Sequence, residues 1–180
     1  MRLLPRHVEQ ATEVTMRIII VVGAAILLTT SGTSHLWAEA PTGIHRTSDQ
    51  ETAAKAVVTE FGKRLRMVAV LAPKEMVTKA MDEEYSALVS ADLLAMWKNS
   101  PEKAPGKRTS SPSPERIDIS SIEAKGHDTY VVKGKVILLT AQERRDGGIF
   151  QANPVTMTVE QRHGKWVITA YDEQEAEEAR

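Results

Sequence analysis

The chain has 180 residues, 42% of them hydrophobic, and a formal net charge of −1 with both signs spread along its length. That size builds one domain core and not two. So even a charge balance offers no basic face to a nucleic acid, and no nucleic-acid partner is expected. Cysteine is absent, which excludes disulfides, thiolate catalysis, cysteine-ligated zinc or iron–sulfur sites and a lipidated-cysteine anchor.

Ile18 to Leu28 is an unbroken run of apolar and small residues behind Arg17, and Ala38-Glu39-Ala40 comes after it. A positive start, a short apolar stretch and an A-x-A site describe a secretory signal peptide over residues 1–40. Eleven helical residues reach roughly 16 Å, against about 30 Å of hydrocarbon in a bilayer. Cleavage after Ala40 is therefore expected ahead of an uncleaved N-terminal anchor, which would be the chain's only contact with a membrane. Met16 offers an alternative start. The mature domain is expected outside the cytoplasm: periplasmic, secreted or associated with the cell envelope.

Residues 41–50 read as a polar linker, with Asp49 able to cap a helix starting just after it. Ala53, Val57, Phe61, Leu65 and Val68 recur every three to four residues and predict a helix from about Glu51 to Leu71. Pro73 ends it and suits the start of a second helix, whose apolar face is Met76, Val77, Ala80, Met81 and Tyr85. Ser90 can cap a third helix over Ala91–Lys98, with Leu93, Leu94 and Trp97 inward. Ser100 to Pro114 holds four prolines and one glycine and predicts a long irregular crossover.

Four strands come next. Arg116–Lys125 carries Ile117 and Ile119 on one face. Thr129–Ala141 carries Tyr130, Val132, Val136 and Leu138 on one face and Val131, Ile137 and Leu139 on the other, with Gly134 marking a bend or bulge. Residues 142–152 read as a flexible hairpin tip. Val155, Met157 and Val159 alternate with Thr156, Thr158 and Glu160, the period-two pattern of a half-buried strand. His163-Gly164 then supplies a two-residue turn into Lys165–Tyr171. The acidic residues 172–180 are expected to fray as a flexible tail. The sum is an α+β domain over residues 51–171, with three N-terminal helices packed on a curved antiparallel sheet of about four strands.

This order of elements, with the terminal hairpin Arg162-His163-Gly164-Lys165-Trp166-Val167-Ile168, resembles the nuclear transport factor 2-like superfamily, a cystatin-like α+β cone. The resemblance implies a curled sheet wrapped over helices with a pocket between them. It implies no single activity, because that fold hosts enzymes, binding modules and dimerisation domains. Its isomerases use a carboxylate base with acidic hydrogen-bond donors, and no motif here assigns those roles to numbered residues.

Chemical motifs are few. Gly106-Lys107 lacks the earlier glycine of a phosphate loop, and Arg108 stands where Ser or Thr is needed. Ser100-Pro101-Glu102-Lys103 lacks the partner motifs of an acyl-serine site. The five histidines show no metal-ligand spacing, so neither metal nor cofactor is expected. His127-Asp128 fits a solvated turn better than an oriented imidazole. Tyr85, Trp97, Tyr130 and Trp166 are the candidates for lining a pocket, where a phenol or indole N–H gives a polar handle on an apolar ligand; filling the core is the plainer role for them. Arg116, beside the proline-rich loop, is the candidate anion contact, with a surface role the plainer reading.

Two functional classes remain. One is an exported non-catalytic module for a small apolar ligand or a protein partner. The other is an isomerase- or dehydratase-type enzyme, which needs an ionisable group in the pocket. Val131, Ile137 and Leu139 also motivate a homodimer through the outer sheet face.

Overall fold

A computed structural model describes residues 43–176, with side chains from Ser48 onward. The expected leader and residues 177–180 of the expected tail lie outside the described residues. No helix among the described residues is long and apolar enough to cross a membrane.

Helix α1 runs from Gly43 to Arg64, eight residues earlier than the sequence pattern predicts. The expected linker is therefore mostly helix. Residues 45–50 are polar but contain no proline or glycine, and polarity alone does not stop a helix. Glu51–Lys55 and Glu60–Arg64 pair across one turn, each worth a few tenths of a kcal/mol, about 0.3–0.5. The buried stripe is Ala54, Val58, Phe61 and Leu65, one residue on from the Ala53 and Val57 expected at its N-terminal half. A tighter 3-10 turn over Leu65–Met67 ends the helix, and the chain is extended at Val68.

Pro73 precedes α2, Lys74–Tyr85, which buries Val77, Met81 and Tyr85. Met76, expected inward, is 64% exposed, because it lies one residue ahead of the Val77–Met81–Tyr85 row. Helix α3, Ala91–Asn99, starts as predicted: the Ser90 side chain accepts from the Leu93 N–H at 3.3 Å. It buries Leu93, Leu94 and Trp97.

Four strands form one antiparallel sheet in chain order: β1 Ser113–Ala124, β2 Thr129–Leu139, β3 Gln151–Arg162 and β4 Lys165–Glu173. β1 begins three residues before Arg116, inside the expected proline loop. The turn at His163 and Gly164 takes positive φ at both residues, 52° and 76°, the requirement of a primed two-residue hairpin. Gly134 faces a register shift between Ile119 and Ser121 on β1. A Cβ at Gly134 would lie 2.6 Å from the Asp118 carbonyl oxygen, so the bulged strand presses its backbone onto the glycine.

The expected flexible tip between β2 and β3 contains a helix, α4, Ala141–Asp146. Thr140 and Glu143 form a reciprocal capping box, and Gly147 closes the other end in the left-handed region at φ 81°. The T-x-x-E signature is in the sequence; the glycines beside it drew the reading toward a loop. Helix α4 lies against β2, and Arg144 reaches Glu115 and Ser113 at 2.9 and 2.7 Å. Ile137 and Leu139, at that end of β2, are only 2% and 6% exposed, so two of the three residues that motivated a homodimer face are already covered by this chain.

One hydrophobic core joins the helices to the inner sheet face: Phe61, Leu65 and Leu94 belong to the same buried cluster as Val132, Val155 and Val159. Four rings give it a rigid centre. Phe61 lies 5.0 Å from Tyr85, 6.1 Å from Trp97 and 5.8 Å from Tyr171, centroid to centroid.

Candidate functional site

A cavity of about 450 Å³ opens where the turn after α1, the loop 103–114, the ends of β2 and β4 and the start of β3 meet. Its apolar wall includes Leu65, Val136, Leu138 and Pro105. The sheet supplies these by alternation: Val136 and Leu138 on β2 and Tyr171 and Glu173 on β4 are spaced by two, so each pair points to one face.

The loop is fixed, not loose. The Lys107 N–H donates to the Val68 carbonyl at 2.8 Å, and the Val70 N–H to the Lys107 carbonyl at 3.1 Å. The buried Tyr85 hydroxyl donates to the Pro105 carbonyl at 2.9 Å. Gly106, at φ 151°, lies so close to the segment after α1 that a Cβ would stand 2.5 Å from the Val68 oxygen.

A polar network crosses the β3–β4 side. Gln151 Nε2 donates to Asn153 Oδ1 at 2.7 Å, and the Ala176 N–H donates to the same oxygen at 3.3 Å. Asn153 Nδ2 donates to Glu173 Oε1 at 2.9 Å, and the Tyr171 hydroxyl donates to Glu173 Oε2 at 2.5 Å. Asn153 is only 7% exposed, so its amide orientation is set by these partners and not by water. The carboxylate is held as a fixed acceptor by one donor on each oxygen.

Burial first, and then the charge of Glu173, hold the Tyr171 hydroxyl well above the ordinary phenol range. Burial, then the carboxylates of Glu84 and Glu173, act the same way on Tyr85. Tyr130 is also raised, by burial and then Glu51. A raised native value means the folded state favours the neutral phenol, so this contribution to stability is complete below pH 10, the ordinary value, and is lost as pH rises beyond it. The expected result is that each of the three tyrosines is less than half ionised at pH 10 in the folded protein. Tyrosinate absorbance measured with rising pH tests it: the signal of Tyr85 and Tyr171 should appear together with loss of the near-ultraviolet circular dichroism, and half-ionisation of a tyrosine at pH 10 in a folded sample would contradict the burial described.

None of the five residues singled out in the sequence lines this cavity. Tyr85 and Trp97 are core: both are nearly inaccessible, and they lie beneath Tyr171, whose ring packs edge-on against Phe61 and Trp97. Tyr130 and Trp166 pair at 5.4 Å, at the opposite end of β2 and β4 from the cavity. Arg116 is exposed and folds along its own strand onto Asp118, at 2.8 and 3.2 Å, because its side chain leaves the sheet on the face away from the helices. The sequence reading passed over Tyr171, Glu173, Asn153 and Arg108. β4 continues through Asp172 and Glu173, and carrying the alternation of Tyr171 two residues further would have placed Glu173 beside it.

No family model and no curated protein matches the chain. The solved structures similar to it include two NTF2-like ones. One is an NTF-2 like protein of unknown function from Shewanella oneidensis MR-1, 17% identical over 73% of this chain and 95% of that one, with a TM-score of 0.33. The other is a multiply substituted variant of Rd1NTF2_05, 16% identical over 69% of this chain and 98% of that one, with a TM-score of 0.34. The described residues are α+β, with three helices before a four-stranded antiparallel sheet.

Proposed function

We propose that the protein is an exported module that binds a small molecule in the cavity between loop 103–114 and the sheet, and does not transform it. The observation that carries this reading is the combination at one place of an apolar wall with a few fixed polar groups, in a volume of about 450 Å³. That lies at the lower end of the range for small-molecule sites, roughly 300–1,000 Å³. Each oxygen of Glu173 already accepts from a neighbour, which suits a recognition group more than a base that must take up a proton. One observation favours the enzymatic alternative: Glu173 and Tyr171 bring a carboxylate and a phenol 2.5 Å apart at the cavity, the pieces of an acid–base pair. Export rests on the leader pattern of residues 1–40.

Native purification, then denaturation and mass spectrometry, tests the reading. A small molecule should be released from the wild-type protein and be at least about tenfold depleted from Glu173→Ala, since losing a charged partner costs about 1.5–3 kcal/mol. A protein that retains nothing speaks against a ligand module. A retained compound that is converted when supplied in excess hands the site to the enzymatic alternative. In the same sample, the N-terminal sequence should begin at Pro41; an intact leader on protein recovered from the cytosol contradicts export.

A further inference from the structure

Arg108, on the loop, and Glu173, on β4, line the same cavity, yet they do not form an ion pair, and the other charged residues at its rim, Lys103, Asp172 and Glu175, are exposed to water. Among the described residues neither has an ion-pair partner. Arg108 commits one N–H to the Glu102 carbonyl, Nη2 to oxygen at 3.0 Å, and four guanidinium donors remain. Glu173 takes neutral donors only, from Asn153 and Tyr171, so its charge is oriented but not cancelled. Each is held by partners of its own, Arg108 by the Glu102 carbonyl and Glu173 by Tyr171 and a buried asparagine. Leu65, Val136 and Leu138 form apolar wall in the same space.

A neutral occupant would displace water from both charges and replace it with nothing, and a singly charged one would leave one of them uncompensated. An occupant carrying both signs satisfies both. Building on the ligand-binding reading above, we propose that the cavity takes a small zwitterion of the apolar amino-acid type. Its carboxylate meets Arg108, where the planar fork of donors matches two oxygens. Its ammonium meets Glu173, and its apolar side chain lies against Leu65, Val136 and Leu138.

Calorimetric titration of the full protein with leucine and three derivatives tests this. N-acetyl-leucine lacks the ammonium, leucine amide lacks the carboxylate, and N-acetyl-leucine amide lacks both. Leucine should bind about tenfold or more tighter than any derivative, the scale of one charge-assisted hydrogen bond. E173Q should remove the preference for leucine over N-acetyl-leucine and keep that over leucine amide. Arg108→Gln should do the reverse. Arg108 is exposed and Glu173 partly so, so both variants should fold, which circular dichroism checks. Equal binding of leucine and N-acetyl-leucine amide overturns the zwitterion while leaving a ligand site in place, as does a retained natural compound that lacks either charge. No binding of any of the four, with nothing retained on purification, overturns both readings.

Discussion

Phe61→Ala lowers the unfolding free energy by about 3–5 kcal/mol, the range for removing a fully buried phenylalanine. Phe61 is 0% exposed and its ring touches three others, those of Tyr85, Trp97 and Tyr171. Removing it takes away the transfer energy of one side chain and the edge and stacking contacts of three pairs, each worth roughly 0.5–1.5 kcal/mol beyond its area. The hole cannot close easily, because its neighbours come from four different elements: α1 itself, α2, α3 and β4. A domain of this size is stable by about 5–15 kcal/mol, so a large fraction of the total is at stake. Urea denaturation monitored by tryptophan fluorescence reads it directly. A loss below about 1 kcal/mol would mean the ring cluster is not packed as described. The same variant should weaken ligand retention, because Tyr171 is both a cavity wall and a member of the cluster.

Gly106→Ala is expected to cost about 2–4 kcal/mol, from backbone strain and overpacking together. The glycine sits at φ 151°, and an added Cβ meets the Val68 carbonyl oxygen at 2.5 Å and Val70 Cγ1 at 2.9 Å. That carbonyl is the one accepting from Lys107, so relief of the clash pulls the loop off the extended segment after α1. Gly126 is the control. It also has positive φ, 126°, but nothing lies within 4 Å of a Cβ there. Gly126→Ala therefore carries strain without collision and should cost less than Gly106→Ala. Thermal melts of the two variants make the comparison. Equal losses would mean that the contact with Val68 contributes nothing and that the loop is held by other means.

Where the sequence was informative, the reason is periodicity. Val155, Met157 and Val159 alternate cleanly, and all three are buried against the helices; Leu93, Leu94 and Trp97 stand behind a serine cap and are buried as well. Where it misled, local chemistry and tertiary context pulled apart. The stretch 45–50 is polar, and a polar helix and a polar linker look alike until the helix is seen to continue. The stretch 141–146 is charged and runs into two glycines, which masked a capping box. The site was the least legible part. Its wall is assembled from five segments far apart in the chain, and which side chains line it depends on where each strand stops. Aromatic residues were natural candidates because few are present, but their area is what makes them core: Tyr85 and Trp97 have 0% and 2% of their surface left for a ligand. Tyr171 escaped notice because it does both jobs.

The strand order leaves β1 and β4 as the two borders of the sheet. Along β4, Val89 bridges to Ile168: the Ser90 N–H donates to the Ile168 carbonyl and the Ile168 N–H to the Leu88 carbonyl, both at 2.9 Å. Those backbone groups are the ones that an incoming chain would otherwise seize. The turn between the second and third helices thus works as a hem, stitched to the outermost β-row by two bonds. Lengthwise growth of the sheet into a multi-chain ribbon is blocked at that point on β4, and β1, which carries Glu115, Arg116, Asp118 and Glu123, defends the opposite rim by charge.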